Sequence, residues 1–193
     1  MTHFLVACDK CKGSLTAFEM CTLAESVLSE RFPTSDVTKV PLTDGGEGFC
    51  EILTRGAQGV LHSIEVLDSV GSKKKAQYGI CDVEKLSPKV IKFLNLPSSG
   101  NLGIVEMAQA AGLADLPESN RNPWETSTFG VGQILKEVVG FGVDVILLGI
   151  GGSSTNDIGI GALNALGLSL KSHENNEITS PIPSIWKNVA GID

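Results

Sequence analysis

The chain has 193 residues, 42% hydrophobic and 19% charged, with 22 glycines, so it has room for one ordinary globular domain or part of a larger one. A net charge of −7 argues against a nucleic-acid surface, which needs clustered Lys and Arg, and leaves a small anionic substrate open if a pocket is locally positive. No apolar run is long enough to span a membrane, and Phe4–Cys8 is too short for a signal peptide, so the expected setting is the cytoplasm.

Residues 3–8 read as a short buried strand, followed by the turn Asp9-Lys10-Cys11-Lys12-Gly13-Ser14 and a helix over 16–31. Thr16 and Glu19 have capping-box spacing, and Leu15, Phe18, Cys21, Ala24, Val27 and Leu28 form the apolar stripe. Pro33 stops the helix, and residues 36–42 give a second strand, predicting a parallel βαβ opening. Thr43-Asp44-Gly45-Gly46-Glu47-Gly48 is a second strand-end loop, and a short helix over 48–56 follows. Residues 60–67 and 74–81 are expected strands joined through Gly71, with Lys73-Lys74-Lys75 as a solvated hairpin tip. A domain boundary is expected near 68–72, separating a Rossmann-like part (1–67) from a second α/β part (73–193). The stretch 83–101 reads as an irregular excursion.

Ile104 to Leu113 is a predicted helix carrying Glu106 among apolar neighbours, an acid buried with a purpose. A Pro-bearing loop over 114–125 and a helix over 128–140 lead to the apolar strand from Val143. That strand breaks at Gly149 into Gly149-Ile150-Gly151-Gly152-Ser153-Ser154-Thr155-Asn156-Asp157, after which Ile158, Ala162, Leu163, Ala165 and Leu166 recur at helical spacing. Beyond Leu170 the chain turns polar with Trp186 as its one large anchor, and no finishing element is expected.

Three polar turns, 9–14, 44–48 and 149–157, thus follow apolar strands, and in a parallel sheet such turns gather at the carboxyl edge where ligands bind. Small residues let backbone approach an anion, and helix N-termini supply N–H donors. No Lys-Ser/Thr follows the glycines, so 149–157 is not a Walker A loop, and Ser154 stands where G-x-G-x-x-G needs glycine. Phosphoryl transfer needs cations on phosphate, carboxylates for Mg²⁺ and a group that positions the attacking hydroxyl. Lys12 suits the first role or is a solvated turn lysine. Asp44 and Glu47 suit metal holding or base work, or serve as turn and first-turn residues. Asn156 and Asp157 read as ligand contacts or helix caps, and Thr126, Ser127 and Thr128 as caps first and ligand contacts second. Arg121 suits a bidentate grip on a carboxylate or sits on the surface.

Cys8-x-x-Cys11 at a strand end has the spacing of a thiol-disulfide oxidoreductase, although the helix begins later than that chemistry wants. His3, His62 and His173 are far apart, so no His-based metal site is readable, and five irregularly spaced cysteines predict no disulfide framework.

Taken together, Asp9, Lys12-Gly13-Ser14, Asp44-Gly45-Gly46-Glu47-Gly48, Glu106-Met107-Ala108 with Ala111-Gly112-Leu113, Arg121-Asn122-Pro123, Thr126-Ser127-Thr128 with Gly130-Val131-Gly132, and the 149–161 glycine run form collinear blocks. In them the chain resembles the glycerate kinase family (bacterial-type glycerate 2-kinases). Cys8, Lys10 and Cys11 replace the family's usual Pro, Ser and Phe in the first loop, and 83–101 is longer than usual. The resemblance implies a Rossmann- or flavodoxin-like βαβ start plus a second α/β segment, and ATP- and Mg²⁺-dependent phosphorylation of D-glycerate, with the 2-position favoured. By the chemistry of their side chains, Lys12, Asp44 and Asp157 are the candidate catalytic groups, with Asp44 or Asp157 on Mg²⁺. Ser14, Gly45, Gly46, Glu47, Arg121, Thr126, Ser127, Thr128, Gly151, Gly152, Ser153 and Asn156 would contact substrate or phosphate. The blocks correspond to the N-terminal portion of such an enzyme, so the expected partners are glycerate, a nucleotide, and either a C-terminal half or a second copy of the chain. A truncated or split form that binds without turnover is the alternative, and the redox reading is third.

Overall fold

The computed structural model describes residues 2–179 and 181–193, which fall into two compact units, Met1–Asp44 and Gly45–Asp193. In the first unit, strand β1 (His3–Val6) pairs in parallel with β2 (Asp36–Lys39), with His3 opposite Asp36 and Val6 opposite Lys39. Helix α1 (Ala17–Arg31) makes the crossover, completing the expected parallel βαβ unit. Its start is fixed as the sequence predicts: Glu19 N–H donates to Thr16 Oγ1 at 3.2 Å, and Thr16 N–H donates to the Glu19 carboxylate at 2.7 Å. Cys21 is fully buried beneath β1, its thiol 3.7 Å from the Val6 carbonyl.

The second unit opens with helix α2 (Phe49–Gly56) and builds a four-stranded sheet from β3 (Val60–Leu67), β4 (Lys73–Asp82), β5 (Asn101–Glu106) and β6 (Val145–Gly149), in that order. The first two pairings are antiparallel, and β5–β6 is parallel. Stretch 68–72 is the β3–β4 hairpin turn, where the Asp68 carboxylate accepts from Val70 and Ser72 N–H at 3.0 and 2.7 Å and Gly71 takes φ 87°.

Helices cover both sheet faces. Short α3 (Pro88–Phe93) and a 3-10 turn at Val83–Lys85 order part of the stretch expected to be irregular. Helix α4 (Ala108–Ala111) and α5 (Phe129–Gly140) pack Ala110, Val131, Ile134 and Val138 against Val66, Tyr78 and Val105. On the other face α2 packs Cys50 against Cys81, Leu102 and Ile104. Ile104 and Val105 thus point to opposite faces, the period of a strand.

That alternation overturns the helix expected over 104–113. The Leu102–Glu106 run is buried along its length because β5 lies between β4 and β6 with helices on both sides, so its unbroken apolar pattern is that of a central strand. Only four residues after it are helical. Helix α6 (Ile160–Ala165) follows the glycine run. The C-terminal stretch also corrects expectation: β7 (Leu170–Ser172) and β8 (Val189–Ile192) pair antiparallel, with a 3-10 segment at Pro183–Asn188 between them. Lys171 and Asp193 form an ion pair across that pairing. Among the described residues, no helix is long and apolar enough to cross a membrane.

Candidate functional site

In the first unit, the 9–14 loop leaves β1 and tightens at Gly13 (φ 70°), with Ser14 and Leu15 N–H both donating to the Cys11 carbonyl. Lys12 and Ser14 are exposed on it. The neighbouring Lys10, which sequence reading passed over, holds Asp44: its Nζ donates to Asp44 Oδ1 at 2.6 Å and stands 3.9 Å from Asp9 Oδ1. The Lys10 side chain is 10% exposed while Asp44 is 51% exposed, so the pair presents a carboxylate to solvent on a largely buried cation. The available signal was position, since Lys10 directly follows Asp9 at the strand end.

This loop does not support thiol-disulfide chemistry. Partial burial, then the adjacent Cys21 thiol, push the Cys8 thiol above its ordinary value, the reverse of an activated thiol. Helix α1 begins only at Ala17, well past Cys11.

In the second unit, the loop at 45–48 and the loop after β6 meet backbone to backbone. Gly151 N–H donates to the Gly45 carbonyl at 2.8 Å. A Cβ on Gly151 would stand 2.6 Å from the Gly46 nitrogen, and one on Gly152 would stand 2.6 Å from Glu47 Oε1. Only glycine allows this approach, which brings Gly45, Gly46, Glu47, Gly151 and Gly152 to one place.

Two buried carboxylates hold these loops from beneath. Glu106, 1% exposed at the end of β5, accepts Cys50 N–H at 3.0 Å and a second bond from Gly48 N–H, so it ties down the N-terminus of α2. Burial nonetheless raises its pKa, and the bonds from Cys50, Gln109 and Gly48 only partly oppose that rise. Asp157, also 1% exposed, accepts four bonds. Thr128 N–H, Thr128 Oγ1 and Gly161 N–H donate to its Oδ2 at 2.7, 2.9 and 3.1 Å, and Gly159 N–H donates to Oδ1 at 3.1 Å. Thr128 Oγ1 in turn accepts Ala162 N–H at 2.9 Å, so Asp157 and Thr128 tie the start of α5 to the start of α6.

The remaining predicted residues differ in their surroundings. Thr126 is fully buried and donates to the Ser154 carbonyl at 3.0 Å. Ser127 Oγ accepts Phe129 N–H at 3.2 Å as a local cap. Ser153 Oγ shares a 2.8 Å bond with Thr155 Oγ1. Arg121 lies on the exposed 114–125 loop, donating from Nε to the Leu116 carbonyl at 3.1 Å, and it forms no ion pair among the described residues. The backbone N–H groups of Gly152, Ser153, Asn156 and Ile158 have no acceptor among the described residues, which leaves a row of donors along this loop. Ile158, 80% exposed, sits at φ 55°, a left-handed conformation that a β-branched residue adopts only under constraint. Nothing in the sequence pattern signalled that strain.

The sequence model of the Glycerate kinase family matches residues 4–193. The chain belongs to the glycerate kinase family. It is 38% identical over 175 residues to the Glycerate kinase of Haemophilus influenzae, covering 91% of this chain and 42% of that protein. It is 34% identical over 174 residues to the Glycerate 2-kinase of Escherichia coli K12, covering 90% of this chain and 42% of that relative. A crystal structure described as a glycerate kinase 2 of Salmonella typhimurium LT2 superposes with a TM-score of 0.72 at 33% identity, covering 100% of this chain and 48% of that one. The chain therefore spans a little under half the length of these glycerate kinase relatives. The family match extends over the paired glycine loops, both buried carboxylates and the β7–β8 segment.

Proposed function

We infer that this chain carries out, or forms the N-terminal half of a protein that carries out, ATP-dependent phosphorylation of D-glycerate, with 2-phosphoglycerate as the favoured product. The observation that carries the reading is the pair of glycine loops packed backbone to backbone, with N–H groups of Gly152, Ser153, Asn156 and Ile158 lacking acceptors beside them. Such a loop offers dipoles to phosphate oxygens without side-chain bulk. The names of the relatives support glycerate as acceptor, and the printed name Glycerate 2-kinase supports the 2-position.

In this reading, Gly45, Gly46, Gly151, Gly152 and Ser153 of the second unit contact phosphate and Arg121 holds the glycerate carboxylate, while Lys12 is the candidate cation of the first unit. Mg²⁺ is held in such enzymes by one or two carboxylates together with phosphate oxygens, and would neutralise charge developing on the phosphates. Asp44 fits that donor role, since half of its side chain is exposed, and Glu47 is the second acid of the same loop. The Asp157 carboxylate fits it poorly because four protein donors already occupy it. Asp157 is therefore assigned to holding the loop, and Asp44 to metal holding or orientation of the attacking hydroxyl, steadied by Lys10.

A coupled assay with D-glycerate and ATP tests this, comparing the chain with its Lys12→Ala and Asp44→Asn variants. Loss of one electrostatic or proton-handling group should lower turnover by about a hundredfold or more. Undiminished turnover in both variants refutes the assignment. Saturable binding of glycerate or nucleotide without transfer would favour the non-catalytic reading, as would rescue by a separately expressed C-terminal half of a relative.

A further inference from the structure

A pocket of about 120 Å³ lies beside the 149–157 loop, lined by Pro123, Trp124, Asn156, Pro183 and Trp186. Its two walls are joined because Ser184 N–H donates to the Trp124 carbonyl at 2.9 Å, while Trp124 N–H is held locally by Asn122 Oδ1 at 3.1 Å. Trp124 is 62% exposed, a large indole left in water although both neighbouring backbone groups are fixed. Trp186 Nε1 is buried without an acceptor among the described residues, so that wall carries a donor as well. Asn156 is exposed, and its amide makes no hydrogen bond among the described residues.

Two indoles and two prolines make the lining largely apolar, and among the described residues Asn156 is the one lining side chain that offers a donor and an acceptor side by side. Flat faces with a single amide suit a planar heterocycle that carries its own donor and acceptor on one edge. Adenine has that edge at N6 and N7, which an Asn amide can bond as a pair. Asn156 belongs to both pocket and loop, so a base seated here keeps its phosphates within the same loop region.

We propose that Trp124, Trp186 and Asn156 form the adenine-binding subsite of the nucleotide substrate. The proposal rests on the ATP-dependent reading above and assigns a place to one part of the nucleotide.

The chain contains two tryptophans, and both line this pocket, so intrinsic fluorescence reports on it alone. The test titrates the full chain with adenosine, ATP and inorganic tripolyphosphate while following that fluorescence, and measures ATP binding independently by equilibrium dialysis. Saturable fluorescence changes with adenosine and ATP, but not with tripolyphosphate, are expected. A stacked base contributes enough that Trp124→Ala should weaken adenosine binding about tenfold or more. Asn156→Ala should reduce the preference for adenosine over purine riboside, which lacks the 6-amino group, and a preference unchanged in that variant removes Asn156 from the subsite. ATP that binds by dialysis without changing tryptophan fluorescence, or equal affinity in Trp124→Ala, overturns the subsite while leaving the kinase reading intact. ATP that does not bind at all overturns both.

Discussion

Replacing Asp157 tests whether this acid holds the loop or takes part in chemistry. Asp157→Ala removes bonds from Thr128 N–H, Thr128 Oγ1, Gly161 N–H and Gly159 N–H. Thr128 and Gly161 are buried, so two backbone donors are stranded away from water, at about 1–3 kcal/mol each. Gly159 is only half-buried, and its N–H can turn to solvent. The expected destabilisation is therefore about 3–5 kcal/mol, a large share of the ~5–15 kcal/mol typical of a domain. Asp157→Asn keeps one oxygen, which can take the Oδ2 position, and sets an amide N–H against Gly159 N–H. It loses one bond and the charge that strengthened the others, about 2 kcal/mol. Urea unfolding monitored by tryptophan fluorescence reads both changes. With a slope of about 1–3 kcal/mol per molar urea, the midpoint should fall by roughly 1 M for Asn and roughly 2 M for Ala. An Ala variant within about 0.5 kcal/mol of the parent would refute the loop-holding role, since surface changes away from such features have effects of that size. A solvent-facing metal ligand would give that small shift.

Gly151→Ala places a Cβ 2.6 Å from the Gly46 nitrogen with backbone on the other side, so the two loops must part. Losing the Gly151–Gly45 bond and the close packing should cost about 2–4 kcal/mol by urea unfolding, and an unchanged midpoint would contradict the contact. Because burial raises the folded-state pKa of Glu106 above its ordinary 4.5, the folded chain holds that proton more tightly than the unfolded one. Its contribution is full below pH 4.5 and is lost as pH rises through the folded value, so Glu106→Gln, whose amide oxygen can still accept the Cys50 N–H bond, should flatten the fall in stability above pH 4.5. Identical pH profiles for parent and variant would show that another group is responsible. Thr16→Ala breaks the capping box of α1 and should cost about 1 kcal/mol, read as a fall in thermal midpoint.

The legible parts of this fold were those where one residue type has one dominant reason to be present. Thr16 and Glu19 announce the helix start, and the structure forms both of their bonds. Glycines at 45, 46, 151 and 152 suggested backbone able to approach an anion, whereas the contact the tertiary structure shows is between the two loops themselves. Leu102–Glu106 was misread because an apolar run covered on both faces has no periodicity to separate strand from helix. The β7–β8 pairing was missed because its strands are three and four residues long and separated by a polar stretch. Lys10 was passed over for Lys12 because sequence cannot say which of two nearby lysines turns inward. The two tryptophans are 62 residues apart by number, 124 against 186, and no local pattern joins them into one pocket.

The buried acids separate from the solvent-facing ones in a way that kinetics can detect. Glu106 and Asp157 are each 1% exposed, and each spends its oxygens on backbone donors of the loop it supports. Asp44, Lys12, Arg121 and Asn156 are exposed, so the roles proposed for them require no opening of the core. Chemistry at an accessible site needs groups that a ligand can reach, and the accuracy of that site depends on buried groups that hold the loops in place. Conservative changes at Asp157 should therefore lower stability and turnover together, recovering turnover as temperature is reduced. Changes at Lys12 or Asp44 should lower turnover at every temperature while the unfolding midpoint stays near that of the parent. A variant of Asp157 that unfolds normally yet loses all turnover would place that acid among the reacting groups and return the loop-holding role to Thr128 alone.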